Sequence, residues 1–216
     1  MSSAALLASP RRETLLRFNL QPSRCVHPDR WAEFLPANWA PPAQDDAVAH
    51  RHVSRLILRK LDLVHRLADQ VDRPEWPIAL AAPDLIAGAC RALGLVSIQQ
   101  QVRRVVRRDH VLALSQALDE HDLQFVRTRA PQLGDADPVF DGQPLDALLA
   151  RLDDIGAAVL ARSLGEAPDA LGRRALLRLP STRSQCSRDA GSARELSLRI
   201  LEERDPPWIS SFDTAH

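Results

Sequence analysis

The chain has 216 residues, of which 45% are apolar and 26% charged, and its 28 basic and 28 acidic side chains cancel to a formal net charge of zero. This length and apolar content predict one domain, with at most a small appendage, around a sizeable buried core. The balanced charge excludes a global field that would draw the whole protein onto nucleic acid or anionic lipid, so such binding would need a local patch.

The number and spacing of the cysteines and the hydropathy of the sequence indicate the cellular compartment in which the protein is found. Cys25, Cys90 and Cys186 are widely spaced without a C-x-x-C pair, which argues against a disulfide framework or a thiolate zinc site. No run approaches the roughly 20 apolar residues of a membrane span, and Ala4–Ala8 is too short for a signal-peptide core. We therefore predict a cytoplasmic protein without direct membrane insertion.

The first forty residues are predicted to begin with a loose leader over 1–13, followed by a short segment that could be a strand or a first helical turn. Pro28 suits the first turn of a helix, where its missing N–H is no loss. Pro36 would end that turn. We expect Trp31 and Trp39 to fix this segment onto the main body.

The next segments have the spacing of amphipathic helices. Apolar residues recur at helical intervals from Val53 to Val71, which predicts one long helix covered by more than one partner. Pro83 would open the following helix, and Gly94 would close it as the first residue beyond its end.

The most distinctive segment is the predicted helix over 98–108, for which Ser97 is a candidate N-cap. Its apolar residues share one side of a helical projection, and its arginines lie almost opposite. The apolar set is Ile98, Val102, Val105 and Val106, and the arginines are Arg103, Arg104, Arg107 and Arg108. We call the four arginines the arginine face.

Further helices are predicted after Asp109, Pro144 and Pro168, and a last one over Ala193–Arg204. Because no strand pattern or internal repeat is evident, we predict an all-α fold: a single compact domain of about seven helices with a mobile C-terminal extension. The predicted ranges are a flexible leader over 1–13, a helical adaptor domain over 14–180, a polar linker over 181–192, and a C-terminal helix and tail over 193–216.

The sequence has no evident catalytic, cofactor or metal motif. His50 and His52 would face different sides of a helix, and Cys25-x-His27 has no matching second pair, whereas structural zinc needs four convergent ligands. There is no G-x-S-x-G elbow and no Gly-rich phosphate loop. We expect neither an enzyme nor a bound cofactor or metal.

Two features are open to more than one interpretation. The arginine face could be a solvated helix surface, could dock an acidic protein, or could hold nucleic-acid phosphates, although no aromatic residues are interleaved for base stacking. The tail residues Trp208, Ile209 and Phe212 could form a short docking motif or fold back over the core.

Several segments together resemble the SctK/YscK family, the accessory subunit of the type III secretion sorting platform. They are Arg17-Phe18, His27-Pro28-Asp29-Arg30-Trp31, Leu35-Pro36, Ala92-Leu93-Gly94, Arg107-Arg108-Asp109 and Arg173-Arg174-Ala175-Leu176-Leu177-Arg178-Leu179-Pro180. The resemblance covers about three-quarters of the chain, from Leu15 to Pro180, through diffuse patterns. Ser181–His216 does not match the family.

The resemblance implies a non-enzymatic helical adaptor in the cytosol, peripherally associated with the injectisome base at the inner membrane. Family members connect the cytoplasmic domain of the ring protein SctD to the SctQ pods, which lead to the SctL stalk and the SctN ATPase. Such an adaptor needs two docking surfaces, and we expect the arginine face to form one. Trp31 and Trp39, if exposed, would supply an aromatic anchor of the kind that dominates interfaces, and Trp208 is a further candidate for partner binding.

The competing class is a helical regulator that binds nucleic acid through the arginine face. Its affinity would fall steeply with salt, because each phosphate contact releases a counterion. A small-molecule sensor would need an apolar pocket that the sequence does not reveal.

Overall fold

A computed structural model describes residues 12–70, 72–105 and 108–213, except for the side chains of 108–111, 113 and 213. All regular structure in these ranges is helical, which confirms the predicted all-α class. The predicted leader lies outside these ranges except for its last two residues. The predicted domain ranges stay a prediction.

The chain forms two compact units. Unit 1 contains the described residues up to Leu80 together with Leu164–Ser181, and unit 2 contains Ala81–Ser163 and the chain from Thr182 onward. The helices of unit 1 are α1 (Arg12–Leu20), α2 (Ala47–Lys60), α3 (Trp76–Leu80) and α10 (Asp169–Leu176), with 3-10 turns at Pro22–Arg24 and Pro28–Glu33.

Unit 2 is organised around its longest helix, α4. Its helices are α4 (Pro83–Arg103), α5 (Arg108–Ala117), α6 (Glu120–Thr128), α7 (Ala130–Leu133), α8 (Leu145–Leu149), α9 (Leu152–Ser163), α11 (Ala190–Arg204) and α12 (Pro206–Asp213), with a 3-10 turn at Pro138–Phe140. The described residues thus contain more and shorter helices than the seven or so that we predicted.

Aromatic and branched side chains form the core of unit 1. The rings of Phe18 and Trp76 meet edge to face with their centroids 5.4 Å apart, which joins α1 to α3. A second cluster ties the first 3-10 turns to α2 and to the end of α10. It contains Val26, Phe34, Ile57 and Leu177, with Trp31, Val53 and Leu61 packed against it.

The predicted helix over Val53–Val71 is wrong at both ends, because α2 begins at Ala47 and ends at Lys60. The chain leaves the helix at Asp62, which has a left-handed φ of 54°. The N–H of Leu63 then reaches back to the carbonyl of Leu58 at 2.8 Å. This is the Schellman closure of a helix C-terminus, here with aspartate at the position that glycine usually occupies.

The predicted break between residues 94 and 97 is also wrong, because α4 runs through it without interruption. Ser97 does not cap a helix: it is fully buried, and its hydroxyl donates to the carbonyl of Leu93 at 2.8 Å. The predicted apolar side is confirmed for Ile98 and Val102, which are buried in the unit 2 core.

The polar segment after residue 181 is held within unit 2. The hydroxyl of Thr182 donates to the carbonyl of Asp154 at 3.0 Å, and Ser187 donates its hydroxyl to the buried Asp137 carboxylate. Burial alone would raise the pKa of Asp154, but hydrogen bonds from Ser184, Thr182 and two backbone N–H groups outweigh burial and lower it. Short polar side chains thus tie the segment to the buried Asp137 and the half-buried Asp154, and its predicted mobility stays a prediction.

Candidate docking surfaces

The arginine face is not formed by one continuous helix, because α4 ends at Arg103. Arg103 and the following Arg104 are exposed, and neither forms an ion pair with another described residue. Arg107 lies outside the described residues. Arg108 begins α5, and its side chain also lies outside the described part of the chain. The partner-binding role of all four stays a prediction.

The three candidate tryptophans have different surroundings. Trp39 is 62% exposed. Trp31 is half-buried against the cluster that contains Phe34 and Leu177. Trp208 is half-buried in α12, with its ring edge to face with Phe212 at 5.0 Å between centroids. Trp39 is therefore the one of these three rings that is mostly open to a partner.

The solvent side of α2 was missed in the sequence analysis. Three arginines at intervals of four residues lie beside a parallel row of two aliphatic side chains and a histidine. All six are exposed, and we call them the α2 outer face: Arg51, Arg55, Arg59, Val48, His52 and Leu56. The arginine spacing was a readable signal. Leu56 falls within the apolar pattern that predicted a helix over Val53–Val71, and this pattern hides the arginine row, whereas Leu56 is 45% exposed.

The three arginines of the α2 outer face form no ion pair with any described residue, and all three are exposed. Elsewhere in unit 1, arginines pair with carboxylates: Arg30 lies 2.8 Å from Glu33, and Arg66 lies 3.1 Å from Asp62. The neighbouring Lys60 is also engaged, because its ammonium donates to a backbone carbonyl and lies 5.7 Å from the centre of the Phe34 ring. The cationic row of α2 is therefore unneutralised by the part of the chain that we describe.

Exposed apolar side chains are concentrated in unit 1. Seven large hydrophobic residues are exposed among those described, and six belong to unit 1. The six are Leu20, Trp39, Val48, Leu56, Val64 and Leu67, and the seventh is Leu112. Exposed aliphatic and aromatic groups beside unpaired cations are typical of protein–protein interfaces.

The clusters of potentially reactive groups have structural explanations. Ser23 Oγ lies 2.9 Å from His50 Nδ1 and 2.7 Å from Ser54 Oγ, but Ser23 and His50 are both buried away from any substrate. Asp119, His121 and Asp122 come together near the start of α6. There Asp119 caps the N–H of Asp122 at 2.7 Å, and Asp122 pairs with Arg91, so helix capping and an ion pair account for the two carboxylates.

Comparison of the chain with protein-family models, with curated proteins and with solved structures gives no match. None of the described helices has both the length and the apolar content that crossing a membrane would require. The resemblance to the SctK/YscK family therefore stands on the sequence segments alone.

Proposed function

We propose that this protein is a non-enzymatic adaptor of the type III secretion sorting platform, which bridges the cytoplasmic domain of SctD and the SctQ pods in support of protein secretion. It would act in the cytosol at the base of the injectisome, with SctL and the SctN ATPase as indirect partners. The proposal rests on the family resemblance, and one structural observation supports it.

That observation is the meeting of two distant segments that carry the resemblance. The N–H of His27 donates to the carbonyl of Leu177 at 2.8 Å, and the guanidinium of Arg30 donates to the carbonyl of Leu176. Trp31 packs against the cluster that includes Leu177. These contacts join the segment that contains His27, Arg30 and Trp31 to the segment that contains Leu176 and Leu177, within unit 1. Because the two segments contact each other, there is a physical reason for their residue types to occur together.

An adaptor also needs separate surfaces for its two partners. The α2 outer face belongs to unit 1, whereas Arg103 and Arg104 belong to unit 2. Both surfaces present arginines without partners among the described residues. Each of these two cationic surfaces therefore offers arginines to an acidic partner.

The first test is recovery of partners from the protein's own cells under secretion-inducing conditions. The tagged full-length protein should recover SctQ, SctL and SctD above an untagged control, as read by mass spectrometry. Recovery of nucleic-acid machinery instead, or of none of these three, would contradict the proposal.

A second test addresses the arginine face. Reversing charge in Arg103→Glu/Arg104→Glu should weaken binding to one partner, since both side chains are exposed and an acidic surface would be repelled. Folding should be unaffected, as checked by circular dichroism. Unchanged binding of both SctD and SctQ would remove Arg103 and Arg104 from the interface.

The nucleic-acid alternative makes a different prediction. Binding to duplex DNA or to RNA should then be detectable at low salt and should fall steeply as salt rises. No binding at low salt would end that alternative.

A further inference from the structure

We propose that the α2 outer face binds an acidic amphipathic helix of a partner protein; this inference rests on the proposed adaptor function and specifies the chemistry of one partner. The face is defined by Arg51, Arg55, Arg59, Val48, His52 and Leu56, all of which are exposed. Part of it lines a surface groove formed by His52, Arg55, Leu56, Arg59 and Lys60.

The geometry of the face suits another helix. Residues four apart lie on the same side of a helix and are separated by about 6 Å along its axis. Arg51, Arg55 and Arg59 therefore present guanidinium groups in a row with that repeat. Glutamates at every fourth position of a partner helix would have the same repeat, so several charge pairs could form in register.

The aliphatic side chains narrow the choice of partner. Val48 and Leu56 are 61% and 45% exposed beside the arginine row. A partner helix with apolar residues flanking its glutamates would cover them and remove apolar area from water. A nucleic-acid backbone would set these aliphatic groups against hydrated phosphates. The face also has no Trp, Phe or Tyr on which bases could stack.

A membrane surface fits less well. A helix that lies in a bilayer interface inserts its own apolar side among the lipids. In α2 that side is committed to unit 1, since Ile57 is fully buried and Leu58 is 8% exposed. The two exposed aliphatic residues lie on the cationic side, so α2 does not have the opposed apolar and cationic sides of an interfacial helix.

Hydrogen bonds fix both ends of α2, which favours its use as a rigid docking surface. Asp46 caps the helix by accepting from the N–H of Ala49 at 2.8 Å, and the Schellman closure beyond Lys60 fixes the other end. A helix that is held at both ends keeps the backbone positions of its arginines fixed, so less backbone entropy is lost on binding.

The test uses the full-length protein and a fluorescein-labelled synthetic helical peptide with glutamates at every fourth position beside a row of leucines. The control peptide has glutamine in place of each glutamate. The double variant Arg55→Glu/Arg59→Glu should weaken binding of the acidic peptide by about tenfold or more, because two pairs are lost and repulsion replaces them. The matched variant Arg127→Glu/Arg183→Glu, which reverses two exposed arginines of unit 2, should leave binding within about twofold of wild type.

Three results would overturn the inference. They are no measurable binding of the acidic peptide, equal binding of the glutamine peptide, and equal weakening by both double variants, the last of which would indicate unspecific charge attraction. Phosphatidylglycerol vesicles and a DNA duplex are measured in parallel. Tighter binding of either one, lost in Arg55→Glu/Arg59→Glu, would assign the face to lipid or to nucleic acid instead.

The outcome is separable from that of the proposed function. If Arg55→Glu/Arg59→Glu still recovers both SctQ and SctD from cells and the peptide does not bind, the adaptor function stands and the α2 outer face is not its docking site. If the peptide binds as expected but neither SctQ nor SctD is recovered, the docking surface stands and the injectisome assignment fails.

Discussion

At the residue scale, the most unusual side chain is Arg174, a fully buried arginine whose hydrogen bonds go to backbone carbonyls. Its guanidinium donates to Ala170 at 2.8 Å, to Arg66 at 2.8 Å and to Leu63 at 3.2 Å, with a longer contact of 3.4 Å to Asn19. Burial lowers the pKa of Arg174 to about 10, so the group remains charged at neutral pH. One side chain thus joins α1, the segment after α2 and α10.

We expect Arg174→Met to lower the free energy of unfolding by about 3 kcal/mol, because the carbonyls it serves would be left buried without donors. Arg174→Lys should also be costly, since an ammonium cannot reach carbonyls on three sides. Urea denaturation measures both. The control is Arg173→Met at the exposed neighbour, which should change stability by less than about 1 kcal/mol. Similar losses in Arg173→Met and Arg174→Met would argue against this role.

His50 is a second buried polar residue, linked to Ser23 and Ser54 in unit 1. The pKa of His50 is lowered from its usual 6.5, mainly because the side chain is buried and secondly because the Arg24 guanidinium is nearby. The folded protein therefore takes up this proton at lower pH than the unfolded chain. Stability from this group is complete above pH 6.5, declines as the pH falls below it, and levels off once the pH is below the folded-state pKa.

Denaturation at about pH 7.5 and about pH 5.5 tests this expectation. Wild type should lose stability on acidification, and His52→Gln, at an exposed histidine of the same helix, should lose as much. His50→Gln should be less stable than wild type at neutral pH but should lose less on acidification. An acid response of His50→Gln that equals that of wild type would assign the pH dependence to other groups.

At the element scale, α4 and α9 approach each other through glycines. A Cβ atom at Gly156 of α9 would lie 1.8 Å from the carbonyl oxygen of Cys90 in α4, and one at Gly94 would lie 2.2 Å from the carbonyl oxygen of Leu152. Both obstacles are backbone atoms, which cannot rotate away. The closeness of the two helices therefore depends on the absence of a side chain at these positions.

Gly156→Ala should cost about 3 kcal/mol or more, since the two helices would have to separate to admit one methyl group. Thermal unfolding followed by circular dichroism measures it. Gly172→Ala in α10 is the matched control, because its added Cβ would find its nearest neighbours at ordinary contact distances of 3.4–3.6 Å. The control should be neutral or gain up to about 1 kcal/mol from better helix propensity. A tolerated Gly156→Ala would mean that α4 and α9 lie further apart.

The errors of element prediction have physical causes in particular residues. Gly94 and Ser97 have the types that end and begin helices, but in α4 they are buried against neighbouring structure, so packing overrides their local preference. The chain leaves α2 at Asp62 with a positive φ, a conformation that glycine adopts most readily. The spacing of apolar residues carries no information about this backbone angle. Local propensity is weak compared with tertiary contacts, which is why helix class was predictable and helix limits were not.

At the scale of the whole molecule, the segment expected to be an extension contributes to the unit 2 core. In α11, Ala193 is fully buried, and Ile200 and Leu201 are each 1% exposed. The N-cap Asp189 accepts from the N–H of Ser192 at 2.9 Å, so this helix begins at Ala190, inside the range predicted as the polar linker.

Truncation after Ser181 should therefore destabilise unit 2, because it would expose the apolar surfaces that α11 covers. We expect a lower melting temperature and loss of helical signal beyond that of the deleted residues. Truncation after Asp205 removes α12 and the residues beyond it, and should have a smaller effect, since the described side chains of α12, at 206–212, are exposed or half-buried. An unchanged melting temperature after truncation at Ser181 would instead support an independent C-terminal extension.

The sequence by itself determined the helical class, the buried identity of most apolar residues and the cationic character of several helices, because these follow from composition and from local periodicity. Only the tertiary structure decided that Arg174 is buried, that Leu56 is exposed and that the chain from Thr182 onward belongs to the second unit. These outcomes depend on which surfaces meet across long stretches of sequence, and neither spacing nor propensity contains that information. The α2 outer face became visible for the same reason, since a row of arginines is a candidate surface only when nothing in the described fold neutralises it.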